Sequence, residues 1–194
     1  MSFDRARAVA DAVLFEGYAL YPYRPTSTKN QLRWQFGVLA PRAASEAAGA
    51  DPWWLESQCL VSASARIAAT VRFLRLRRRR VETPDGAPIA SLELDGQLLV
   101  PWDEGELCEL ELAHDLAVAH ATHSFTVDGG ETLEAIDDAR GQRVARVRRT
   151  RAPLALTVII AVEPTDADGL CKLRLRVENV SACADPDAPR DQSL

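Results

Sequence analysis

Lysine is almost missing from this sequence: of 23 basic residues only Lys29 and Lys172 are not arginine, so its cationic chemistry is nearly all guanidinium, a composition that GC-rich coding also produces. Long apolar runs are missing too. The longest candidate, Ala152 to Val162, falls well short of the roughly 20 residues a membrane-spanning helix needs. Near the N-terminus, Asp4 and Asp11 interrupt any apolar stretch of signal-peptide length, so a cytoplasmic chain is expected. The four cysteines, Cys59, Cys108, Cys171 and Cys183, include no pair at CxxC spacing, and a chain this long does not need covalent staples; free thiols are expected. There is no glycine-rich phosphate loop, no nucleophile elbow and no zincin helix motif. These absences set aside P-loop enzymes, Rossmann dehydrogenases, serine hydrolases and zinc proteases as classes.

What is present reads as strand. The chain has 194 residues, 47% hydrophobic and 26% charged, ordinary values for a folded protein. A short helix is expected over Phe3 to Val13, and a loop or one or two helical turns over Pro41 to Gly49. Strands are expected at Leu14–Tyr21, at Arg33–Val38, where Trp34, Phe36 and Val38 alternate with polar residues, at Trp53–Val61 and across Arg66–Val81. Turn signals then recur at Pro84-Asp85-Gly86, Asp95-Gly96, Asp103-Glu104-Gly105, Asp128-Gly129-Gly130, Arg140-Gly141 and Asp166-Ala167-Asp168-Gly169, the spacing of a meander or sandwich. The strongest hairpin joins Leu154–Val162, apolar on both faces and so expected to lie centrally, to Leu170–Val180, where Leu173, Leu175 and Val177 alternate with charge. The expected fold is mainly β, with β-sandwich-like antiparallel sheets, one short N-terminal helix and minor helical turns. Residues 1–181 should form a single β-rich domain and 182–194 a polar tail or linker.

Three clusters could carry chemistry. Cys108, His114, His120 and His123 supply thiolate and imidazole ligands suited to zinc or nickel, but in an extended chain His123 points away from the other three, so only a turn could gather them. Asp103, Glu104, Glu106, Glu109, Glu111 and Asp115 could include a general acid and base. Their alternation with Leu107, Leu110 and Leu112 is also what the wet face of an amphipathic strand produces. The basic residues concentrate in two runs, six arginines in 72–80 and five in 143–151. Guanidinium forks suit phosphate, yet the net charge is −5 and only Phe73 interleaves aromatically, so nucleic acid is not expected. A patch meeting an acidic partner, or the chain's own carboxylates, is the reading preferred here.

One stretch carries a resemblance. The residues Glu16-Gly17-Tyr18, Leu20-Tyr21-Pro22-Tyr23-Arg24, Lys29-Asn30, Arg33-Trp34-Gln35-Phe36-Gly37-Val38, Glu56-Ser57-Gln58-Cys59-Leu60 and Val71-Arg72-Phe73-Leu74 resemble a family of uncharacterised bacterial proteins encoded near uptake nickel–iron hydrogenase genes. The likeness is dense over residues 13–75 and loose beyond. Members of that family look longer, and the resemblance implies an accessory role in assembling or positioning a hydrogenase, without catalytic residues to carry over. Together these readings lead to a non-catalytic protein-interaction or assembly module without a cofactor. Its partner would be a hydrogenase subunit or a related assembly factor, met through Tyr18, Tyr21, Tyr23, Arg33, Trp34 and Arg77, Arg78, Arg79, Arg80. The alternative is a metal-handling factor or enzyme using Cys108, His114, His120 and His123.

Overall fold

A computed structural model describes residues 3–14, 37–48, 51–63, 66–167, 169–183 and 189–194. The chain divides into two units, 1–36 and 37–194. Within the first, helix α1 (Asp4–Leu14) opens on Asp4, a carboxylate suited to the positive end of the helix dipole, and none of its residues is buried. The expected strands at Leu14–Tyr21 and Arg33–Val38 lie outside the described residues, apart from their ends at Leu14, Gly37 and Val38.

The second unit is built of antiparallel strands, as the alternation predicts. After helix α2 (Arg42–Ala48) come β1 (Trp54–Ser62), β2 (Arg66–Glu82), β3 (Pro88–Ile89), β4 (Leu92–Leu94), β5 (Gln97–Leu99), β6 (Trp102–Asp115) and β7 (His120–Val127). They are followed by β8 (Gly130–Asp137), β9 (Arg143–Arg151), β10 (Leu154–Pro164), β11 (Leu170–Asn179) and a 3-10 turn at Pro189–Gln192. One four-stranded sheet has the order β1-β11-β10-β7; a five-stranded sheet runs β3-β2-β9-β8, with β6 also on β2; β4 and β5 form a separate hairpin. Asp95 and Gly96 link β4 to β5 with positive φ at both positions, the conformation a tight two-residue hairpin demands. Among the described residues no helix is long and apolar enough to cross a membrane.

The two larger sheets share one core. Leu154, Leu156, Val158 and Ile160 of β10 and Leu173 and Val177 of β11 meet Phe73 of β2 and Cys108 and Leu112 of β6. Four of β10's residues are less than 3% exposed, and each such aliphatic side chain contributes about 1.5–3 kcal/mol relative to exposure. β10 lies centrally between β11 and β7, as its apolar run suggests.

Asp103-Glu104-Gly105 is not a turn. All three residues lie inside β6, opposite Arg78, Arg77 and Leu76 of β2. The pair of Glu104 with the facing Arg77, and of Asp103 with the diagonal Arg80, holds the strand straight through a sequence whose local preference is to bend.

The floor of the core is tied by one amide. Asn179 is fully buried, and its Nδ2 donates to Leu39 O (2.9 Å) and Gln192 O (2.7 Å) while its Oδ1 accepts from Ser181 N. Leu39 and Leu194 exchange backbone hydrogen bonds in both directions at 3.0 Å. Residues 182–194, expected to be a polar tail or linker, thus include an end that pairs with the core. Asn179→Ala removes two donors and one acceptor from a dry site. We expect it to cost about 2–4 kcal/mol, read as a lower urea midpoint at unchanged slope.

Candidate functional site

The arginine runs and the carboxylate cluster turn out to be one lattice. In the β2–β6 register, Phe73 faces Cys108, Arg75 faces Glu106, Arg77 faces Glu104 and Arg79 faces Trp102. These residues share a face because alternate side chains of a strand point the same way. The face that is apolar at one end of β2 therefore becomes ionic at the other. Arg75 Nε lies 2.7 Å from Glu106 Oε2, and Arg151 and Arg77 approach the other oxygen at 2.9 and 3.7 Å. Arg77 Nε is 2.7 Å from Glu104, which Arg149 also approaches at 3.6 Å. On the opposite face Arg72 pairs with Glu109, Arg80 with Asp103, and Arg146 and Arg148 both with Glu82. Arg78 reaches Asp191 at 2.6 Å.

Of the arginines expected to meet a partner, Arg77, Arg78 and Arg80 are thus committed to the chain's own carboxylates. Arg79, opposite both Trp102 and Arg149, has an Nε with no hydrogen-bond partner among the described residues. Tyr18, Tyr21, Tyr23, Arg33 and Trp34 lie outside the described residues.

Burial works against ionised Glu106, but the hydrogen bond from Arg75 and the fields of Arg75, Arg151 and Arg77 outweigh it and hold the carboxyl below its ordinary range. Glu82 behaves alike: desolvation is overcome by hydrogen bonds from Arg148 and Arg146. A carboxylate kept ionised by arginines is a poor proton donor at neutral pH, so neither residue is suited to general-acid work. Burial also pushes the Cys108 thiol up, leaving it protonated and weakly nucleophilic.

The turn at 116–119 brings two of the three histidines together. His114, only 5% exposed, and His123 meet edge to face with ring centroids 6.3 Å apart. His114 Nε2 lies 2.8 Å from Val118 O; since a carbonyl can only accept, that nitrogen carries a proton. His123 Nε2 is buried without a hydrogen-bond partner among the described residues. His120 is exposed and, three residues from His123 on one strand, points to the other face. Cys108 sits six residues from His114 along β6, about 20 Å away. Among the described residues no group of three or more His, Cys, Asp or Glu is placed to hold a metal ion.

A cavity of about 230 Å³, lined by Leu76, Arg78, Thr150, Arg151, Ala152 and Asp191, is smaller than the roughly 300–1,000 Å³ of ordinary ligand pockets, and the Arg78–Asp191 pair belongs to its wall.

Strand β1, which sequence reasoning did not single out, is an uncovered surface among the described residues. Residues 54–60 are exposed on both faces, including Trp54 (40%), Leu55 (44%) and Leu60 (63%), together with the thiol of Cys59. Strand β1 pairs only with β11 among the described residues, so its other edge presents backbone donors and acceptors. Arg176 stacks on Trp54 at 4.0 Å and Arg42 on Trp53 at 4.5 Å, holding the two indoles in place. The adjacent tryptophans were the available signal, since on a strand one of them must face away from any single core.

No protein-family model matches the chain, and neither a curated protein nor a solved structure matches it.

Two outcomes follow from the buried groups. In the unfolded chain Glu106 takes up its proton near the ordinary value of about 4.3, whereas in the fold it resists protonation until lower pH. The folded state binds fewer protons over that interval, so stability held above it is lost as pH falls through it. Glu106→Gln should lower stability at pH 7 by about 3 kcal/mol, by removing the counter-charge of the nearly buried Arg75, which keeps its hydrogen bond to Asp128 O, and should flatten the loss of stability below about pH 4.5 in urea titrations at stepped pH. His123→Phe removes a buried nitrogen that bonds to nothing described, so its stability should equal or exceed wild type by up to about 1 kcal/mol. A clear loss, with metal found in the wild type by elemental analysis, would instead assign that nitrogen to an ion.

Proposed function

We propose that this chain is a non-catalytic assembly module that engages another protein chain by strand addition at the open edge of β1. In the setting that the sequence resemblance implies, it works in the cytoplasm as an accessory factor to a nickel–iron hydrogenase. The observation that carries the reading is β1 itself: a nine-residue strand, paired on one side among the described residues, with large apolar side chains exposed on both faces. In strand addition the main chain supplies hydrogen bonds and alternate side chains supply selectivity, and β1 offers both. The ionic lattice supports the same reading by subtraction. Among the described residues, Arg72, Arg75, Arg77, Arg80 and Arg146 are engaged by Glu109, Glu106, Glu104, Asp103 and Glu82, which takes those guanidinium forks away from gripping a phosphate or a substrate carboxylate.

The test is capture by the intact chain from native lysate, with bound proteins identified by mass spectrometry, beside a Trp54→Ser/Leu60→Asp double variant. We expect wild type to retain a hydrogenase subunit or maturation factor and the variant to lose it while keeping its urea midpoint. A wild-type chain that retains no specific partner, or a variant that retains the same partner equally well, counts against the reading.

A further inference from the structure

Strands β6, β7 and β8 have guarded or polar edges. Strand β6 carries Asp103, Glu104, Glu106, Glu109, Glu111 and Asp115, and β8 carries Glu131, Glu134 and Asp137; β7 turns His120, Thr122, Ser124 and Thr126 outward. Strand β1 has one charge, Glu56, and exposes Trp54 and Leu60 on one face and Leu55 and Cys59 on the other. Natural sheets suppress unwanted pairing with charge at the edge, and an edge left apolar is one that pairs.

We infer that in the free protein this edge is occupied by a second copy of the chain, with β1 pairing antiparallel to its equivalent about a two-fold axis through Ser57. The inference rests on the strand-addition reading above and names what fills the edge until a partner of that reading displaces it. In a two-fold antiparallel pair, facing residues share a sheet face, so the axis must pass through a residue that meets itself. An axis through Glu56 sets carboxylate against carboxylate. Through Gln58 it sets Glu56 against Leu60, and through Cys59 it leaves Trp54 and Leu55 beyond the end of the strand. Through Ser57, Trp54 meets Leu60, Leu55 meets Cys59 and Glu56 meets Gln58, so that apolar groups face apolar groups on both sides of the sheet. The remaining pair repeats between copies a bond that Gln58 Nε2 already makes to Glu56 Oε1 within the strand, at 2.7 Å. Like charges oppose nowhere in this register. Pro52, lacking an N–H, closes it at one end.

The intact chain should sediment as a concentration-dependent dimer. Leu60→Asp faces Lys172 within its own sheet, so the fold should tolerate it, but between copies it sets a carboxylate against Trp54; we expect the dimer dissociation constant to rise about tenfold or more, with an unchanged urea midpoint at concentrations low enough for both chains to be monomeric. The register has its own readout. Residues facing one another across such a pair lie within disulfide range, while positions 55 and 59 of one strand are about 13 Å apart. Oxidised Leu55→Cys protein should therefore run as a covalent dimer without reductant, and the same variant with Cys59→Ser should not. A monomer at every concentration, a dimer indifferent to Leu60→Asp, or no covalent dimer from Leu55→Cys each overturns the inference. If a monomeric chain still loses its captured hydrogenase-linked partner on Trp54→Ser/Leu60→Asp, self-pairing falls and strand addition to another protein stands; if capture is unaffected as well, both fall.

Discussion

The antiparallel alignment of β2 with β6 governs the rest of this fold. Along one continuous register it lays Ile67, Ala69, Val71 and Phe73 against His114, Leu112, Leu110 and Cys108, then Arg75 and Arg77 against Glu106 and Glu104. The apolar half supplies the floor for β10 and β11. The ionic half carries β9, whose Arg149 and Arg151 complete the coordination of the same two glutamates. Since a slip of one residue would throw every side chain to the opposite face, the charged half and the apolar half enforce each other's register. Partly buried ion pairs contribute little net stability, because desolvation offsets attraction. What they contribute here is specificity of alignment in a sheet whose strands carry many arginines of similar appearance.

Much of the architecture was legible from alternation alone. Strands β10 and β11 combine a continuous apolar run with a strict two-residue period, and short-range pattern suffices to pair them across a five-residue turn region. Asp103-Glu104-Gly105 carries a local turn propensity, but the forces that straighten it come from Arg77 and Arg80, some 25 residues earlier in the chain. The histidines show the same limit: their spacing suggested that only a turn could gather them, and the turn at 116–119 gathers His114 and His123 but leaves Cys108 and His120 apart. Charge complementarity alone left two partners open for the arginine runs, an acidic protein or the chain's own carboxylates, and the second is where Arg77, Arg78 and Arg80 are found. Asn179 gave no sign of its role, since an asparagine at a strand end looks like any turn residue until Leu39 and Gln192 are brought to its amide.

The exposed edge of β1 was the least visible of all. Alternation says that Trp54 to Ser62 is a strand; it does not say whether a strand lies at the centre or at the rim of its sheet. Only the strand order, with β1 outside β11, makes the exposure of Leu55 and Leu60 informative. The aromatic and basic residues Tyr18, Tyr21, Tyr23, Arg33 and Trp34, put forward on composition, lie outside the described residues and contribute nothing to that argument.

Warming acts differently on the two halves of β2. The hydration of charged groups grows less favourable as temperature rises, so taking Glu104 and Glu106 out of water becomes cheaper, while the gain from enclosing Phe73 and its neighbours levels off. Near its melting point the ionic half of β2 therefore carries a larger share of the sheet's stability than it does at room temperature.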